Sequence, residues 1–122
     1  MEKDFTTFIN TYRAYACKYI QYFNEGDKKL ERDIKNLSKL NSYMRKNIDF
    51  AKRVIDKLIL DDDTGTRGII SIMALEFDYN TKMAINNIEK IINDKSNGYF
   101  SVYVQTHLTK YYNKKMKEGE KN

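Results

Sequence analysis

The chain has 122 residues, 41% of them hydrophobic and 32% charged, and a formal charge of +5. That length supports one hydrophobic core and a single domain over residues 1–122. No apolar run approaches the roughly 20 residues that a bilayer span requires, so no membrane contact is expected. The lone Cys17 excludes an internal disulfide. Met1–Phe5 carries charges with no apolar segment after them, unlike a secretory signal, so a cytoplasmic location is expected.

Proline is absent and the five glycines cluster at apparent breaks, which favours long helices. The first helix is expected from Asp4 to Asn24. Its apolar residues Phe5, Phe8, Ile9, Tyr12, Tyr15, Ala16, Tyr19, Ile20 and Phe23 recur at steps of three and four. Gly26 suits the left-handed position that ends it. A second apolar stripe runs through Leu30, Ile34, Leu37, Met44, Ile48, Ala51, Ile55 and Leu58, with Asn41 in its seam. As one helix it would be roughly 48 Å long, too long for this globule. A break is therefore expected between Arg45 and Asp49, with Asn47 or Asp49 starting the next helix.

Asp61, Asp62 and Asp63 suit a helix amino terminus, where unpaired N–H groups and the dipole favour negative charge. Asp63 is the predicted N-cap, and Arg67, one turn on, is the predicted brace of the loop. Helices are then expected over Thr64–Phe77, Thr81–Asn93 and Tyr99–Lys115. The last should bury Val102, Tyr103 or Val104, Leu108 and Tyr111. Asn80 is the expected cap of the second of these, and residues 114–122 the expected frayed tail. No segment has a credible strand pattern.

The fold class is therefore all-α, built of antiparallel helical hairpins, with about five or six helices. Over residues 45–112 the chain has an apolar helix end at Lys57–Leu60, Asp63 in the turn, Arg67 in the next helix, small Ala74, then Ala84 after a short turn. This pattern resembles small bacterial HEAT-like helical-repeat domains, in which an Asp and an Arg brace neighbouring helix pairs. Two departures are a missing turn proline and Gly68, where a bulkier residue is common. The resemblance implies an α-solenoid-like stack and a scaffold role, and no activity.

Candidate sites follow from residue type. Tyr12, Tyr15, Tyr19 and Tyr22 form a row on the first helix. The rings either pack the next helix or are partly exposed as an amphipathic binding surface, so they are the candidate contact for a protein partner. Residues 28–60 hold 10 basic and 4 acidic side chains. Lys28, Arg32, Lys35, Lys39, Arg45 and Lys46 form the candidate phosphate track, or else a solvated helix face. Residues 61–98 reverse the balance, with 4 basic and 7 acidic.

Catalytic patterns are missing. Thr64–Gly68 lacks the Gly-Lys-Ser/Thr ending and the preceding strand of a phosphate loop. His107 is the sole histidine, too few ligands for zinc, so neither metal nor cofactor is expected. Cys17 reads as a buried structural thiol. An enzyme would need His107 in a pocket with a carboxylate such as Glu76 or Glu89 within hydrogen-bond reach. The expected function is a non-catalytic protein-binding module, an immunity or antitoxin-type protein that neutralises a toxin partner. The alternative is nucleic-acid binding through residues 28–57.

Overall fold

The computed structural model describes residues 4–120; Met1–Lys3, Lys121 and Asn122, and with them the ends of the expected domain, lie outside the described residues. Seven α-helices and no strand are found among the described residues. They are α1 Phe5–Ala16, α2 Tyr19–Glu25, α3 Glu31–Lys46, α4 Ile48–Leu58, α5 Thr64–Glu76, α6 Thr81–Asn93 and α7 Tyr99–Glu120. Single 3-10 turns stand at Lys28–Leu30 and Lys95–Asn97.

The bundle is built around α5. Asp63, in extended conformation, accepts from the Thr66 N–H at 2.8 Å and from the Thr66 hydroxyl at 2.9 Å, and so starts this helix. From Gly65 to Leu75 every residue except Arg67 is buried. A helix apolar on all sides can satisfy itself only at the centre of a core, and α5 packs against α1, α4, α6 and α7. Its glycines set how close those neighbours come. A Cβ on Gly68 would lie 2.7 Å from the Phe100 ring, and one on Gly65 would lie 2.8 Å from the Ala16 carbonyl oxygen. Gly68, the departure from the HEAT-like pattern, is thus the gap into which Phe100 fits.

Buried polar groups are paired. Asn87 donates to the Ile59 carbonyl at 2.7 Å and to the Ser71 hydroxyl at 3.1 Å, tying α6 to α4 and α5. The seam residue Asn41 accepts from the Tyr12 hydroxyl at 2.7 Å. No buried side-chain nitrogen or oxygen among the described residues lacks a partner, as a low-dielectric interior requires.

Several expected boundaries change. The first helix is two helices, because Lys18 N–H bonds to the Tyr15 carbonyl, three residues back, and the chain turns at Cys17–Lys18. The first turn of α5 abuts this kink at Gly65. The break in the second stripe falls at Asn47, which ends α3 and precedes α4. Its side chain does not cap α4; it donates back to the Tyr43 carbonyl at 2.9 Å. Asn80 stands at the N-cap of α6 in left-handed conformation, also without a side-chain cap bond.

α7 continues through Glu120, where a frayed tail is expected from residue 114. Lys115 holds that stretch through Asp78 at 2.7 Å and Glu118 at 3.4 Å. Val102 is 59% exposed, not buried, because the inward stripe is Phe100, Val104 and Leu108. Steps of four place Val102 half a turn away from that stripe. Cys17 is exposed, with its thiol donating to the Ala14 carbonyl at 3.3 Å. Desolvation by its packed surroundings, then Asp63, raise the thiol pKa against the smaller pull of Lys18.

Candidate functional site

The amino end of α7 is held by α2 and not by its own side chains. Asn24 Oδ1 accepts from the Tyr99 N–H at 2.8 Å, and Asn24 Nδ2 donates to the Asn97 carbonyl at 3.4 Å. The chain reaches this cap through Gly98, at φ 56° and ψ −133°, a region open in practice to glycine alone. A Cβ there would also stand 2.5 Å from Asn24 Oδ1.

This latch sets α7 aromatics over those of α2. Phe23 and Tyr103 have ring centroids 4.6 Å apart, with Tyr19 6.1 Å from Tyr103 and Tyr22 5.6 Å from Phe23. On top lies a shallow, wide-open groove lined by Phe23, Tyr99, Val102 and Tyr103. Tyr99 is 69% exposed, so the groove has an aromatic lip in water. Burial raises the pKa of both the Tyr103 and Tyr19 hydroxyls, which stay neutral beneath it. Sequence reading missed this groove. Its one signal is that Tyr99 and Val102, three residues apart, fall off the Phe100–Val104–Leu108 stripe.

The predicted tyrosine row does not form a surface. Tyr12 is fully buried and Tyr19 is 5% exposed. Tyr15 is half-buried against the core, and Tyr22 is half-buried beside Phe23. The reason is that the row spans two helices: α1 packs on α3, α4 and α5 around Tyr12, and α2 packs on α7, where Tyr19 meets Tyr103. None of the four lines the groove itself; Tyr19 and Tyr22 pack against its lining ring Phe23.

The cations divide differently. Lys28, Arg32, Lys35, Lys39 and Lys46 are exposed, none with a carboxylate within 4.0 Å among the described residues. At 100° per residue, Arg32, Lys35, Lys39 and Lys46 fall within about 40° of one line, opposite the buried Leu37 and Met44. They occupy the outward ridge of α3, not a concave track. Arg45 leaves the set, since its guanidinium is bidentate on Glu76 at 2.6 and 2.9 Å.

Arg67 braces the loop, but through main-chain oxygens. It donates to the Asp61 and Asp62 carbonyls at 2.7 and 2.9 Å and to the Thr64 hydroxyl at 3.2 Å. Asp63 is committed to its cap, so no Asp63–Arg67 pair forms. The carboxylate that receives a guanidinium is Asp61, from Arg13 on α1 at 2.6 Å.

His107 shares a second groove with Glu76, between α5 and α7. No hydrogen bond joins them: the Glu76 carboxylate is held by Arg45, and the imidazole packs edge-on against Tyr103 at 4.9 Å. Burial, then Lys110, lower the His107 pKa, with Glu76 opposing. The pair is thus not poised as an acid–base couple. Among the described residues no group of three or more His, Cys, Asp and Glu side chains could hold a metal ion, and no helix is long and apolar enough to cross a membrane. No family model matches the chain, and neither a curated protein nor a solved structure matches it.

Proposed function

We propose that this chain is a non-catalytic protein-binding module that docks its partner on the α2–α7 groove. The observation that carries the reading is the aromatic groove itself: Tyr99 and Val102, 69% and 59% exposed, stand over Phe23 and Tyr103. Aromatic and aliphatic anchors around a concave apolar patch are the usual centre of a protein interface. Buried side-chain polar groups among the described residues are paired, and a surface set on such a packed core needs little ordering on binding. The scaffold fits a HEAT-like stack over residues 48–120, since α4, α5, α6 and α7 each pack on the next.

The specific form we propose is an immunity or antitoxin-type protein acting in the cytoplasm, which neutralises a toxin by covering it. A single small domain offering one apolar groove and segmented charge suits a one-to-one blocker. The test is capture from a lysate of the source cell, with nuclease, at two salt concentrations, comparing the wild type with Tyr99→Ala/Val102→Ser. A protein retained by the wild type at both salts and lost by the variant supports the groove. Expression of that protein alone should then slow growth, and co-expression of this chain should restore it. A captured protein that is harmless alone removes the toxin-neutralising form.

One observation favours a second reading, nucleic-acid binding: the unpaired cations along the α3 ridge. Phosphate contacts release counterions, so nucleic acid recovered at low salt and lost at high salt would move the function there.

A further inference from the structure

The second groove, between α5 and α7, has a chemistry of its own. It holds about 290 Å³ and is lined by Ile72, Leu75 and Glu76 on one side and His107, Lys110 and Lys114 on the other. Ile72 and Leu75 are almost fully buried and form an apolar floor. The acids at its edge are already taken. Glu76 is held by Nε and Nη2 of Arg45, and Asp78 by Lys115 at 2.7 Å and the Tyr111 hydroxyl at 3.1 Å. Lys110 and Lys114 have no carboxylate within 4.0 Å among the described residues. A groove that joins it continues along α7 past Lys110, Asn113 and Lys114 to Lys117 and Glu118, whose carboxylate is held by Lys115 at 3.4 Å.

We propose that this trough receives an extended acidic segment of a partner polypeptide, with one apolar side chain on Ile72 and Leu75 and carboxylates on Lys110 and Lys114. Length and register support a peptide. From His107 to Lys117 the helix rises about 15 Å, the reach of about four or five extended residues. Lys110 and Lys114 are one turn apart, with Cβ atoms about 5–6 Å from each other. Acids two apart on an extended chain project on the same side at about 6.6 Å, a near match. Ammonium groups spaced singly along a helix suit separate carboxylates, where a phosphate cluster would favour guanidinium forks.

This inference rests on the protein-binding reading and names the partner's chemistry. Its test needs no partner. The purified full chain is titrated with a fluorescent peptide carrying a leucine followed by two aspartates spaced two apart, read by anisotropy and by the His107 ring resonances. Binding should weaken as salt rises, and should fall at least tenfold in Lys110→Glu/Lys114→Glu and with asparagines replacing the aspartates. Both lysines are exposed, so the variant should keep the wild-type circular dichroism. Equal binding to the variant, equal binding of the asparagine peptide, no binding at all, or tighter binding of a single-stranded oligonucleotide would overturn the proposal. If the peptide fails while lysate capture through Tyr99 succeeds, only the trough loses its occupant.

Discussion

Two aromatic rows in this molecule share residue type and helical spacing and meet opposite fates. On α1, Tyr12 is sealed, with its hydroxyl on Asn41 at 2.7 Å and its ring stacked on Phe8. On α7, Tyr99 stands 69% exposed while Tyr103, one turn on, lies half-buried against Phe23. The difference lies in the number of neighbouring helices. α1 is flanked by α3, α4 and α5, whereas Tyr99 and Val102 of α7 stand exposed beside Phe23 of α2. An amphipathic ring becomes core or contact surface according to what packs on it, which its own helix does not encode.

The largest test of this contrast is truncation of each row. Tyr12→Ala should destabilise by about 3–5 kcal/mol, as removal of a large buried ring does. Tyr99→Ala should stay within about 0.5 kcal/mol, as exposed substitutions do. Denaturant midpoints at unchanged slope give both values. Equal losses would mean that Tyr99 is structural, and the aromatic lip would lose its role.

Gly68→Ala comes next, and probes what lies under the open row. Its Cβ would meet the Phe100 ring at 2.7 Å and Ile91 Cδ1 at 3.1 Å. Phe100 is fully buried and cannot swing away. Overpacking of this kind costs about 1–3 kcal/mol, more than the ~1 kcal/mol alanine gains in a helix interior. A lowered melting temperature is expected, together with altered Tyr103 ring resonances; a rise would show that the α5–α7 contact is loose. Asn24→Ala should cost about 1 kcal/mol, the worth of a helix cap. It should also raise amide exchange at Tyr99, loosening the groove while α1 stays protected.

Much of this contrast was legible in the sequence, and the part that was not has a physical reason. The start and span of α5 could be read from Asp63 and the apolar residues after Gly68, because capping is a local property; its burial on nearly every side could not. The break at Asn47 could be read from excess length. The kink at Cys17–Lys18 could not, since both residues keep right-handed backbone angles and the turn is made where Gly65 abuts it. The fates of the tyrosines also depended on contacts 29 and 84 positions away: Asn41 for Tyr12, Tyr103 for Tyr19. Arg45 looked like one more cation until α5 placed Glu76 against it. Pairing across helices is a tertiary fact, and spacing along one helix cannot supply it.

The smallest expected effect is a pH dependence at the border of the open row. His107 packs edge-on against Tyr103, and burial followed by Lys110 lowers its pKa from 6.5. Well above pH 6.5 the imidazole is neutral in both the folded and the unfolded chain, so it adds no slope there. As pH falls through 6.5, the unfolded chain takes up a proton that folded His107 resists. Stability therefore declines until the folded group also titrates. His107→Gln should flatten this decline between about pH 7 and pH 5, where an ordinary histidine changes charge. An acidic segment in the trough would reverse the sign, because its carboxylates favour the imidazolium. Proton uptake by His107 on peptide binding, followed by its ring resonances through the same pH window, would show ligand charge reaching the edge of the aromatic groove. Loss of a proton on binding would place the peptide elsewhere.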